Sequence, residues 1–145
     1  MQHLLEFVAS SSDICQMRLD FETFILNNAV TVTTSTNNNN SSVANEATNN
    51  LGQCSIDTFP VTVPGGQAPS VICGENSGHH MYVPASDACN TLSANIGSSS
   101  TSTNSSFSIK VLQIECSSTL MAPVGCFQYF SRTTGNLETL TIRVV

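Results

Sequence analysis

Between Met17 and Glu22 the apolar residues Met17, Leu19 and Phe21 alternate with Arg18, Asp20 and Glu22. A period of two confines such a segment to a strand with one face on a core. Phe24 and Leu26 continue on the opposite parity, which predicts a bulge near Glu22 and Thr23. Phe59 to Val63 also alternates, but Pro60 lacks an N–H and restricts this run to a sheet edge or a strand start; Pro64-Gly65-Gly66 then ends it. Further strands are expected at His80 to Val83, Leu92 to Ile96 and Phe107 to Val111, the last running on to Cys116 with another change of parity. No stretch repeats its apolar residues every ~3.6 positions over a helical length. Short runs separated by Ser/Thr/Asn tracts and Gly/Pro clusters predict an all-β antiparallel sandwich.

The 145 residues suffice for one domain of ordinary size. Residues 1–14 are expected to be an N-terminal extension and 15–121 the sandwich. In 122–145, Phe127 to Tyr129 and Leu140 to Val144 flank Thr134-Gly135-Asn136, the pattern of a C-terminal hairpin or of the start of a second β unit. The tracts Thr31 to Asn50 and Gly97 to Ser106 lack the apolar surface that would offset ordering entropy and are expected to be mobile loops. Removing residues 37–50 is expected to leave the fold intact, because closure entropy varies only logarithmically with loop length.

Six cysteines, Cys15, Cys54, Cys73, Cys89, Cys116 and Cys126, stand at wide spacings with no Cys-x-x-Cys pair, so disulfides in an oxidising compartment are expected rather than zinc or redox chemistry. The first eight residues carry an acid within a brief apolar run and no basic flank; that makes a poor secretory signal, and the natural chain is expected to begin upstream. No apolar run approaches the roughly 20 residues that span a bilayer, so no membrane insertion is expected. With a net charge of -6 and its four basic residues (Arg18, Lys110, Arg132, Arg143) scattered, the chain cannot build the continuous positive surface that nucleic acid requires. Catalysis is not expected either. No serine lies in a Gly-x-Ser-x-Gly elbow. Metal ligation by the pair His79 and His80 is not expected, because adjacent residues on a strand point to opposite faces.

Five blocks occur in order: Ile14-Cys-Gln-Met-Arg-Leu-Asp-Phe21, Cys54-Ser-Ile-Asp-Thr-Phe-Pro-Val61, Ile72-Cys-Gly-Glu-Asn-Ser-Gly-His-His-Met-Tyr-Val83, Lys110-Val-Leu-Gln-Ile-Glu-Cys116 and Gly125-Cys-Phe-Gln-Tyr-Phe130. Together they resemble a CUB domain, most closely the divergent CUB-like modules of arthropod secreted proteins. The resemblance implies a jelly-roll-like sandwich that recognises an extracellular protein or glycan without catalysis. A structural or matrix spacer carrying glycans, or a noncatalytic part of a larger extracellular protease, are the other roles such modules fill. It also implies that Cys54 pairs with Cys73 and Cys89 with Cys116, leaving Cys15 and Cys126 to bond each other or partners outside the chain. In the CUB pattern an aspartate at the place of Asp57 often binds calcium; Glu46 is the nearest candidate for the second carboxylate, and the third place falls among Ser98, Ser99 and Ser100. One aligned carboxylate is too few for a hard cation, so no cofactor is expected, and Asp57→Ala is expected to cost about 1 kcal/mol through a lost turn hydrogen bond. Sequons at Asn39, Asn40 and Asn104 mark glycosylation candidates in the predicted loops.

Overall fold

The computed structural model describes residues 1–28, 53–97, 105–131 and 134. Its strands are β1 (Gln2–Phe7), β2 (Ile14–Ile25), β3 (Val61–Thr62), β4 (His80–Pro84), β5 (Asn90–Asn95) and β6 (Ser106–Glu115). There is no helix among the described residues, hence none long and apolar enough to cross a membrane. The strands form two antiparallel three-stranded sheets, in the orders β1-β5-β3 and β4-β2-β6. One core joins the inner faces of both: Met17, Leu19, Phe21 and Phe24 of β2 and Met81 and Val83 of β4 pack with Val61 of β3 and Leu92 and Ala94 of β5. The fold is a β-sandwich.

β2 is the axis of its sheet, and its register explains its sequence. Phe21 faces Ile109 and Thr23 faces Ser108, so Glu22 is the extra residue and the bulge falls where the change of parity predicts it. The slip lets Phe21 and Phe24 both enter the core, where their rings meet at 4.9 Å and Phe59 closes the cluster at 5.1 Å from Phe24. Aromatic pairs of this kind add about 0.5–1.5 kcal/mol beyond their burial. A second irregularity separates Ile14 from Gln16, and the extra residue there is Cys15.

The change of parity in β6 occurs without a bulge, since pairing runs unbroken from Ile109 to Ile114. Ile109 and Val111 touch the core, whereas Ile114 lies on the opposite face beneath a later segment, so both faces of β6 carry apolar residues. Residues 1–14 are not an extension outside the sandwich: β1 pairs along its whole length with β5, from Gln2 opposite Asn95 to Phe7 opposite Asn90. Its adjacent Leu4 and Leu5 stay exposed, and without alternation the segment has no strand signature. The run Phe59 to Val63 shrinks to the two residues of β3, with single bridges from Thr58 to Asn95 and Phe59 to Ile72, because Pro60 interrupts the ladder.

Cys54 bonds Cys73, as the resemblance implies, but Cys116 bonds Cys15 and not Cys89. The cause is topological. Antiparallel pairing of β2 with β6 sets Ile14 opposite Glu115 and brings the Cα atoms of Cys15 and Cys116 to 4.8 Å, within bridging range. Cys89 stands before β5 in the other sheet and, like Cys126, is an exposed free thiol. Two disulfides are the chemistry of an oxidising environment.

Candidate functional site

After β6 the chain turns back over the outer face of the sheet β4-β2-β6. This strap, residues 117–130, is fastened to β2 and β4 by hydrogen bonds, the longest of them from the Gln128 amide to His80 O at 3.4 Å. Gln16 of β2 donates its amide to Ala122 O and accepts from Ala122 N–H, both at 2.8 Å and buried. Tyr82 N–H of β4 donates to Phe127 O at 2.7 Å, which covers the free edge of β4. His80 Nε2 lies 3.0 Å from Tyr129 O and 3.3 Å from Tyr129 N. Beneath the strap Tyr82, Ile114 and Ala122 form a second small apolar cluster with Met121 and Tyr129.

The strap and sheet together enclose a cleft of about 390 Å³ walled by Tyr82, Val83, Pro84, Met121, Val124 and Phe127, with Cys15 and Cys126 also lining it. Clefts of this volume and apolar character are of the size that takes a small ligand or a side chain. Val124 of the cleft wall is 95% exposed, and Leu120, which precedes the wall residue Met121 in the chain, is 68% exposed. Apolar side chains fixed in water on a tied-down segment form a surface that a partner could cover without first ordering it. Sequence reasoning missed this surface, because residues 122–130 read as the start of another unit and nothing in the chain order connects Gln16 with Ala122.

Asp57 lies at the other end of β2 and has no exposure to solvent. Its Oδ2 accepts from Asn27 N–H and the Asn27 amide, both at 2.9 Å, and from the Ser105 hydroxyl at 2.6 Å; its Oδ1 accepts from Gly97 N–H at 3.0 Å. Burial pushes this carboxyl up. Donation from Ser105, from the N–H groups of Asn27 and Gly97 and from the Asn27 amide outweighs burial and holds it below the ordinary carboxylate value. Asp57 thus ties the end of β2, the end of β5 and the approach to β6 into one knot. Glu46, Ser98, Ser99 and Ser100, the other expected calcium positions, lie outside the described residues, as do the glycosylation candidates Asn39, Asn40 and Asn104, the tract 31–50 and the run 140–144. Among the described residues no three His, Cys, Asp or Glu side chains cluster as metal ligands would.

The histidine pair divides as strand geometry requires. His80 is buried against the strap, its ring 5.4 Å from Tyr82 and 4.9 Å from Phe130, while His79 is half-buried. Burial, then the nearby Arg18 guanidinium, pushes the His80 imidazole below its ordinary value, against weaker opposition from Tyr129 O and Asp20. Ser77, whose hydroxyl accepts from Phe24 N–H at 2.9 Å, is a fastener of β2. No family model, no curated protein and no solved structure matches the chain.

Proposed function

We propose that the chain is a noncatalytic, secreted recognition module of the CUB-like kind, with a jelly-roll-like sandwich and glycans on its Asn-containing loops, and that it binds an extracellular protein or glycan through the strap. The observation that carries this reading is the exposed apolar pair Leu120 and Val124 beside the cleft, on a segment tied to the sheet through Gln16, Tyr82 and His80. Water gains nothing from such side chains, whereas a partner that buries both would gain roughly 25 cal/mol for each Å² of apolar surface removed from solvent. Two disulfides and the low content of ionic residues support an extracellular setting.

The test is binding to an array of secreted proteins and glycans by the wild-type chain and by the double variant Leu120→Asp/Val124→Asp. Both positions are exposed, so the variant is expected to melt like wild type. Saturable binding that the variant loses supports the reading. Binding that survives in the variant, or no binding by wild type to any member of a broad array, overturns it.

A further inference from the structure

Two sheet edges lie side by side along one flank of the sandwich. Among the described residues β1 pairs only with β5 and β6 only with β2, and the rings of His3 on β1 and Phe107 on β6 meet at 5.8 Å. Between the two edges runs an apolar groove of about 250 Å³, walled by Leu5, Phe59, Leu92, Ala94, Phe107 and Ile109. Its rim is exposed to solvent, Leu5 by 52% and Phe107 by 37%.

The backbone of β6 is open along the same groove. In an antiparallel strand the N–H and C=O of one residue point to the same side, and successive residues alternate sides. Phe21 N–H donates to His79 O, Phe24 O accepts from Asn76 N–H, and Leu26 N–H donates to Gly74 O, so these residues of β2 and its end bond the chain of β4 and the turn before it. Asp20, Thr23 and Ile25 are left to bond β6 through their partners Lys110, Ser108 and Ser106. Phe107, Ile109 and Val111 therefore direct their N–H and C=O groups away from the sheet, and no described segment pairs with them there. Toward Gln113 the groove is closed by the chain between β1 and β2, because the Gln113 side chain bonds Ser10 N–H and Val8 O. An unpaired edge beside an apolar groove is a template for one more strand.

We propose that the C-terminal run Leu140-Thr-Ile-Arg-Val144 of the same chain is that strand, added to the free edge of β6 with Leu140, Ile142 and Val144 over the groove. The run has the required period: its apolar residues alternate with Thr139, Thr141 and Arg143, so one face suits the row Phe107, Ile109 and Val111 and the other suits water. It also reaches. The Phe130 ring lies 4.9 Å from His80, His80 stands opposite Asp20, and Asp20 stands opposite Lys110. From there to a position beyond β6 is about three strand spacings, roughly 14 Å. Residues 131–139 extend to about 30 Å, enough to cross the sheet and turn. The added strand would lengthen the sheet to the order β4-β2-β6 plus one and shield the exposed Leu5 and Phe107. This edge lies across the sheet from the edge that the strap covers, so failure of the proposal would leave the recognition reading standing.

The experiment is amide hydrogen exchange on the full chain, wild type and Ile142→Asp, together with nuclear Overhauser contacts of the Ile142 methyls in the wild type. The readouts are the outward N–H groups of Ile109 and Val111, with the N–H of Lys110, whose backbone faces Asp20, as the internal reference. The expected result is exchange at Ile109 and Val111 at least about tenfold slower in wild type than in Ile142→Asp, Lys110 unchanged, and contacts from Ile142 to Phe107 or Leu5. Equal exchange at Ile109 and Val111 in the two proteins overturns the proposal, as does a loss of protection that extends to Lys110. Protection at Ile109 that grows with protein concentration also overturns it, because the occupant is then a second copy. Should Ile142→Asp not fold, the wild-type contacts decide, and their absence from both Phe107 and Leu5 refutes the docking.

Discussion

Replacing Asp57 by alanine removes the acceptor of four hydrogen bonds at once. The two from Asn27 matter most, because Asn27 is itself buried. A buried donor that loses its acceptor costs about 1–3 kcal/mol, so those two account for roughly 3 kcal/mol. Gly97 N–H and the Ser105 hydroxyl are only half-buried and can turn to water, adding about 0.5 kcal/mol each. The sum, about 4 kcal/mol, is well above the cost of a single turn hydrogen bond and a large part of the roughly 5–15 kcal/mol by which domains are stable. For a domain of this size it lowers Tm by about 10–20 °C. Urea unfolding of wild type and Asp57→Ala is the assay, read at unchanged slope. A loss below about 1 kcal/mol would refute the knot. The acid limb provides a second check. The folded carboxyl lies below its unfolded value, so its contribution is present above about pH 4 and disappears as pH falls through the folded value. Asp57→Asn, weaker at neutral pH, is expected to lack that part of the acid loss. Both carboxylate oxygens already accept hydrogen bonds, and calcium would have to displace the donors. Calcium at about 1 mM is expected to leave Tm nearly unchanged, and a rise of several degrees that Asp57→Ala abolishes would contradict that.

Three further outcomes follow from the covalent and backbone geometry. Opening the Cys15–Cys116 bridge, which spans a sequence separation of 101, is expected to cost more than opening Cys54–Cys73, which spans 19; chain entropy gives about 4.7 against about 3.2 kcal/mol, measured by unfolding of the paired Cys→Ser variants. Thiol labelling of the folded, unreduced chain followed by peptide mapping is expected to modify Cys89 and Cys126 and spare the other four cysteines. Gly97→Ala is expected to destabilise by about 1–3 kcal/mol in the same unfolding assay, because the added Cβ would stand 2.5 Å from Ile56 O while Gly97 N–H is held by Asp57.

What could be read in advance was whatever repeats locally. The alternation in β2 and its slip at Glu22 both survive into the structure because a half-buried strand imposes its period on the residues that form it. β1 escaped because its six residues sit at a sheet margin where Leu4 and Leu5 are both exposed, so burial leaves no pattern. The partner of Cys116 escaped for a different reason: it depends on which strand lies beside β6, a fact about order in the sheet that residue type does not encode. At Asp57 the position was legible and its surroundings were not. Asn27, Gly97 and Ser105 converge on it from three separate stretches of chain, and each alone looks like an ordinary loop residue.

The Cys15–Cys116 bridge also has a mechanical meaning. Any pull transmitted through the two ends of the chain enters at residue 15, crosses the disulfide and leaves at residue 116, bypassing everything between. At about 3.4 Å per residue, the 101 positions spanned by the bridge hold about 340 Å of slack that tension cannot release while the bond is intact. Under load the ends would yield first: β1 peels from β5 and the strap lifts from β4, while the sheet interior stays unloaded. Reduction of that single bond would turn a short, stiff link into a long extensible one.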